Sequence, residues 1–162
     1  MIEERPVFGF ENEGYRIRSN GQLWNPHTRK WTYGTSTWCG GPYYARVGLW
    51  KHGRRHFKNM HRLAAEHFVC NPRLFVFDVV DHINMDPLDN SAENLRWVNA
   101  QLNSRNQKGK PYWVRKWKKW VVQVNGSTRG YFRDRATAQR VRDETSKREF
   151  DELYLALTTG HY

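Results

Sequence analysis

An adjacent Asp81-His82 pair closes an apolar run, and the eight residues after it, "INMDPLDN", hold four Asn or Asp side chains. Further asparagines follow at Asn94, Asn99, Asn103 and Asn106. Those residue types suit the hydrolysis of a phosphodiester, which needs a nucleophilic water, a cation on the phosphate oxygens and stabilisation of the leaving oxygen. A hard cation such as Mg²⁺ takes its ligands from carboxylate and amide oxygens. Neutral histidine is the usual base near pH 7. Neighbouring side chains on a strand point to opposite faces, so Asp81 and His82 can share a site only where the strand ends and twists. A third group must return from elsewhere, and a helix carrying Asn103 would supply it.

The elements that must position these groups are legible as patterns. "LFVFDVVDHI" is apolar and β-rich, which predicts a strand over residues 74–83. Pro87 and the Asn/Asp density make 84–90 a loop. "NLRWV" is short enough to be the returning strand, and Asn99 can cap a helix through "AQLNSRNQ". Upstream, "GYRIRSNGQLWNP" predicts a hairpin turning at Asn20-Gly21, and "YYARVGLWKHGRRHFKNM" predicts a second one turning at Lys51-His52-Gly53. In "NMHRLAAEHF" the period changes to a helix with Leu63, Ala64 and Phe68 on one face, Asn59 as cap, and Asn71-Pro72 as its stop. Residues 14–70 thus read as one small antiparallel sheet delivering a helix.

Asp81-His82, Asn94 and Asn103, in the order strand, loop, strand, helix, closely resemble the HNH nucleases with a ββα-metal core. "HRLAAEHF" before the motif and "DHINMDPLDNSAENLRWV" within it look like the phage and intron HNH homing endonucleases. The resemblance implies that Asp81 and Asn103 bind one divalent ion, Mg²⁺ first and Mn²⁺ second. It implies that His82 is the general base and that Asn94 fixes the loop and orients the His82 ring. Asn106, one turn beyond Asn103, is the rival ligand. Other polar residues read as structure: His61 as a helix or core histidine bracing the site, Asp86 and Asp89 as turn formers, Glu93 as an aid to loop closure. His52 and His56 sit in a basic hairpin and would at most touch phosphate.

Beyond a linker, "NQKGKP", the pattern "YWVRKWKKWVVQVNGSTRGYF" predicts a compact sheet with a turn at Asn125-Gly126. A helix is predicted from about Arg135 to Phe150 with Ala138 and Val141 on one face, and the tail to Tyr162 is ambiguous. This region resembles the plant ethylene-response-factor (Apetala) type DNA-binding domain, carried also by phage HNH endonucleases. Its matching features are Tyr112-Trp113-Val114-Arg115, the strand at Trp120-Val121-Val122-Gln123-Val124, Gly130-Tyr131-Phe132 and the helix at Thr137-Ala138; it departs in a shorter turn and fewer alanines. From Arg105 to Arg135 ten basic residues face one acid, Asp134. Arg115, Lys116, Lys118, Lys119 and Arg129 are therefore candidates for phosphate or base-edge contacts. Alternation would place Trp113 and Trp117 on one face with Arg115 and Lys119.

The totals agree with a nucleic-acid partner. The 162-residue chain carries 27 Lys and Arg against 16 acids, a formal charge of +11, and its mean hydropathy is −0.91. No apolar run is long enough to span a bilayer and no signal peptide is legible, so a protein acting inside a cell, in a host cytoplasm if phage-encoded, is expected. Cys39 and Cys70 form no metal or disulfide pattern and read as reduced. The expected class is α+β: an amino-terminal β-rich module (1–58), the ββα-metal core (59–107) and a basic sheet-helix module (108–162). The function that follows is metal-dependent endonucleolytic cleavage of double-stranded DNA, leaving a 5′-phosphate and a 3′-hydroxyl. Nicking by a monomer and paired cuts by a dimer both fit. Two rivals share the scaffold: a catalytically idle DNA-binding or regulatory protein, and a structure-directed nuclease of phage DNA processing.

Overall fold

Turn chemistry sets out the first half of the fold. The computed structural model describes residues 1–37, 44–105 and 110–159. β1 (Glu4–Pro6), β2 (Arg16–Arg18), β3 (Leu23–Asn25) and β4 (Lys30–Thr32) form a four-stranded antiparallel sheet in sequence order. The β2–β3 turn carries Gly21 at φ +82°, and the Arg18 amide donates to Gln22 O at 2.8 Å. β5 (Thr35–Thr37), β6 (Tyr44–Lys51) and β7 (Arg54–Asn59) form a second sheet. Its β6–β7 turn has positive φ at both His52 (49°) and Gly53 (72°), the backbone that joins twisted strands without splaying them. The two expected hairpins are present, but in separate sheets, and β1 adds an edge strand that the pattern did not announce.

α1 (Met60–Phe68) follows β7 directly. Asn59 occupies the cap position in extended conformation, without a side-chain cap bond. The buried face is wider than Leu63 and Ala64, because Met60, His61, Ala65 and His67 are buried as well, while Phe68 is half-buried. Buried His67 is satisfied on both nitrogens: Nε2 accepts the Phe8 amide at 3.0 Å, so Nδ1 carries the proton and donates to Leu63 O at 2.7 Å. Burial pushes its imidazole below the ordinary histidine range, in keeping with a neutral ring. Tyr15 links the two sheets: it is fully buried, and its hydroxyl accepts the Trp50 amide at 2.9 Å. Tyr15→Phe is expected to lower stability by about 1 kcal/mol in urea unfolding, because it removes that acceptor and little volume.

The strand expected over 74–83 is four residues long, β8 (Val79–His82). Residues 74–76 instead form a turn closed by the Val76 and Phe77 amides on Arg73 O. The physical reason is Asn71, whose Nδ2 donates to Phe77 O at 2.7 Å while its Oδ1 accepts the Arg73 amide at 3.1 Å. That clamp buries Phe77 and leaves Leu74 and Phe75 exposed, with Phe75 at φ +73°. A 3-10 turn (Ala92–Asn94) leads into β9 (Leu95–Val98), which pairs with β8. α2 (Ala100–Arg105) is capped as expected, the Leu102 amide donating to Asn99 Oδ1 at 2.8 Å.

β10 (Tyr112–Val114), β11 (Lys119–Val124) and β12 (Ser127–Phe132) form a three-stranded antiparallel sheet, and α3 (Arg135–Thr159) packs on it through Ala138 against Val122 and Val124. Asp134 begins α3 by accepting the Thr137 amide at 2.7 Å. The helix runs nine residues past the expected end at Phe150, without a Gly or Pro to stop it. The chain gathers into two compact units, Met1–Trp97 and Val98–Tyr162. The α+β class is as expected from sequence. Cys70 is a free, exposed cysteine; Cys39, Asn106 and linker residues 106–109 lie outside the described residues.

Candidate active site

The loop after β8 is closed mainly by polar side chains bonding to nearby backbone. Asn84 Oδ1 accepts the Asp86 amide at 2.8 Å, and Asp86 Oδ1 accepts the Leu88 amide at 3.0 Å. Asp89 receives the Ser91 hydroxyl at 2.7 Å and Asn84 Nδ2 at 2.9 Å. Short polar side chains bonded two residues onward mimic turns, and that is why Asn and Asp crowd this stretch. The Ser91 hydroxyl, foremost among these donors, holds the Asp89 carboxyl below the ordinary carboxylate range. Asp86 and Asp89 are turn formers, as their spacing suggested.

Asn94 ties the two ends of the loop together. Its Oδ1 accepts the Asn84 amide at 2.9 Å, its Nδ2 donates to Asp89 O at 2.8 Å, and its own carbonyl accepts the Ile83 amide at 2.8 Å. His82 ends β8 beside this loop, 7% exposed, with Nε2 3.1 Å from Asn90 Oδ1. The Asn90 amide is turned by its Nδ2 bond to Leu88 O, so Oδ1 faces the ring. An amide oxygen only accepts, so the proton of a neutral His82 sits on Nε2 and its lone pair on Nδ1. Sequence reasoning missed Asn90, which sits in a run of turn-forming residues that disguise it.

The amino-terminal hairpin props this arrangement. A Cβ at Gly21 would come within 2.7 Å of Asn90 O, and the Ala92 amide donates to Ser19 O at 2.7 Å. Gly21 therefore serves twice: it accepts a positive φ, and it lets the Asn20-Gly21 turn seat against the backbone of Asn90. On the other side, α1 presents His61 edge-on to His82 at 5.3 Å between ring centroids, and Tyr44 lies 5.0 Å from His61. Burial first, then the nearby His82 and Arg62, push the His61 imidazole from the ordinary 6.5 down to about 4. The unfolded chain therefore binds a proton between pH 6.5 and 4 that the folded chain refuses, and stability falls as pH drops through that window. The full loss is about 3 kcal/mol. His61→Phe is expected to flatten the pH dependence of urea unfolding between pH 7 and 4 by about that amount.

Asp81, the other member of the pair, is 7% exposed, and its Oδ2 is 2.8 Å from Arg96 Nη2 on β9. A buried imidazole at a strand end braced by an amide-rich loop, with a buried carboxylate one residue before it in the chain, offers group types that suit hydrolytic chemistry on a phosphate.

Comparison with known proteins finds likenesses that take in the same segment. Residues 76–105 match the HNH endonuclease family. The chain is 38% identical over 101 residues to the uncharacterized HNH endonuclease L247 of Acanthamoeba polyphaga mimivirus, covering 62% of this chain and 24% of that protein. It is 30% identical over 106 residues to the DNA endonuclease I-HmuI of Bacillus phage SP01, covering 65% of this chain and 58% of that one. A solved structure described as DNA binding and cleavage by the HNH homing endonuclease I-HmuI matches with a TM-score of 0.55 at 30% identity, over 65% of this chain and 57% of that chain. The chain thus spans less than three-fifths of either relative's length.

The matched segment contains Asp81, His82, Asn90, Asn94 and Asn103. In the first unit His82 meets the Asn94-closed loop through Asn90, and Asp81 meets Arg96; Asn103 stands on α2 in the second unit, its amide donating to Asn99 O at 2.9 Å. Among the described residues no cluster of three His, Cys, Asp or Glu could hold a metal ion. The HNH ligand set expected from sequence, one carboxylate and one amide oxygen, is of a different kind and needs no such cluster. Oxygen donors of this sort fit a hard divalent cation, and Asp81 already accepts from a cationic group, Arg96.

Downstream of the matched segment the basic candidates divide. Arg115, Lys116 and Lys118 lie in a tight turn between β10 and β11, closed by the Trp117 and Lys118 amides, with Lys118 at φ 48°. That turn corrects the continuous alternation read from sequence. Trp113 pairs across strands with Trp120, whereas Trp117 meets Tyr131 edge-on at 5.3 Å. Lys119 opens β11 and is exposed. Arg129 bonds the Glu149 carboxylate of α3 at 2.5 Å. Among the described residues no helix is long and apolar enough to cross a membrane.

Proposed function

We propose that this chain is a divalent-metal-dependent HNH endonuclease of the homing type, acting on double-stranded DNA and leaving 5′-phosphate and 3′-hydroxyl ends. The observation that carries the reading is the His82–Asn90 bond: it fixes the tautomer in which Nδ1 can take a proton from water. Asp81 and Asn103 would hold the ion, Mg²⁺ or Mn²⁺. When bound, such an ion supplies charge neutralisation on the phosphate and on the leaving oxygen. His82 accepts the proton of the attacking water, Asn90 keeps the ring from turning, and Asn94 holds the loop that carries Asn90. The charge bias downstream supports a duplex partner: Arg115, Lys116, Lys118 and Lys119 would contact phosphates from the Apetala-like sheet, and Arg129 would contribute after leaving Glu149.

Supercoiled plasmid incubated with Mg²⁺ tests this directly. Open-circle product indicates nicking and linear product indicates paired cuts; either should vanish with EDTA. A plasmid left intact, with genomic DNA intact as well, would sink the nuclease reading in favour of a DNA-binding protein on the same scaffold. Replacing Lys116, Lys118 and Lys119 together by Gln should weaken DNA binding and flatten its salt dependence by roughly two to three charges' worth of slope.

A further inference from the structure

Asp81 does not stand as a bare carboxylate. Arg96, opposite it on β9, places both Nε (2.9 Å) and Nη2 (2.8 Å) on one carboxylate oxygen, Oδ2. The Asp81 side chain is 8% exposed and the Arg96 side chain 19%. Resting on the reading of Asp81 as a metal ligand, we propose that Arg96 is a positioning residue that keeps the cation's place: it balances Asp81 in the metal-free protein and competes with the incoming divalent ion for the carboxylate.

Three considerations support this. A carboxylate this deep in the protein needs a cationic partner, or it drifts or takes up a proton. A guanidinium is always charged and forks onto oxygen acceptors, so Arg96 holds Asp81 in one orientation before any ion arrives. A divalent ion on the same carboxylate would then sit close to a second positive charge and be repelled by it. Arg96 therefore makes Asp81 a weak metal ligand until DNA phosphates add negative charge. Leu95 and Trp97 on either side of Arg96 are buried (3% and 6% exposed), which holds the backbone. The guanidinium's fork suits a phosphate as well as a carboxylate.

Mn²⁺ binding without DNA, followed by electron paramagnetic resonance, separates the outcomes. Wild type and Arg96→Lys, which keeps the charge, are expected to bind Mn²⁺ equally weakly; Arg96→Met is expected to bind about tenfold tighter. Thermal melting of Arg96→Met should show a folded protein with a lowered midpoint that Mn²⁺ restores. Mn²⁺ affinity in folded Arg96→Met equal to or below that of wild type would overturn the proposal and leave Arg96 as a structural bond. Asp81→Asn serves as the control for the underlying reading. If Asp81→Asn combined with Arg96→Met binds Mn²⁺ as tightly as Arg96→Met alone, Asp81 is not a ligand, and both the metal assignment and this inference fall together.

Discussion

Alanine in place of His82 should reduce plasmid cleavage by about a thousandfold, the loss expected when a positioned general base is removed. DNA binding in a gel-shift assay should survive, because His82 is buried and the charges proposed to hold phosphate lie elsewhere. A modest stability loss should accompany it: Asn90, 2% exposed, would lose the donor on its Oδ1, at about 1–3 kcal/mol. Asn90→Ala should behave differently, with the imidazole present but no longer held in one tautomer. About a tenfold fall in cleavage is expected there. Equal activity in wild type and His82→Ala would remove His82 from the chemistry altogether.

Asn94→Ala should be the most damaging change in the loop. It removes both the acceptor of the Asn84 amide and the donor to Asp89 O, from a residue only 8% exposed. Two part-buried hydrogen bonds to backbone are lost, about 1–3 kcal/mol in unfolding free energy. Asn94→Asp keeps the acceptor but loses the donor and sets a carboxylate near Asp89, so it should rescue only part. Cleavage should fall with both variants, since the loop that carries Asn90 loosens. Circular dichroism melts beside plasmid assays would separate a destabilised loop from an intact one; unchanged melting in Asn94→Ala would mean that the two bonds do not close the loop.

What could be read from the sequence was whatever depended on neighbours in the chain. Asn20-Gly21, His52-Gly53 and Asn125-Gly126 dictate tight turns by backbone conformation alone, and all three turn as expected. Asn99 caps α2 for the same reason. The reading failed where a distant or competing bond decides. "LFVF" has the composition of a strand, yet the Asn71 side chain folds it into a turn and only Phe77 reaches the core. The end of α3 was hidden because no residue between 150 and 159 breaks a helix. Asn90 could not be told from its turn-forming neighbours by type. Arg96 carries no signal of its own in "NLRWV"; the pairing of β8 with β9 sets it against Asp81.

The closure of the 84–94 loop by mutual side-chain bonds has a kinetic consequence. Apolar packing loosens by degrees, whereas a ring of bonds among Asn84, Asp86, Asp89, Ser91 and Asn94 holds only while its members stay together. Such a segment opens as one cooperative unit, with its own opening free energy beneath that of the whole molecule. The amides of Asn84, Asp86, Leu88 and Ser91 should accordingly exchange with solvent deuterium at one common rate, faster than those of α1. Cleavage would then fade on warming at the temperature where this loop opens, some degrees before the sheets behind it melt.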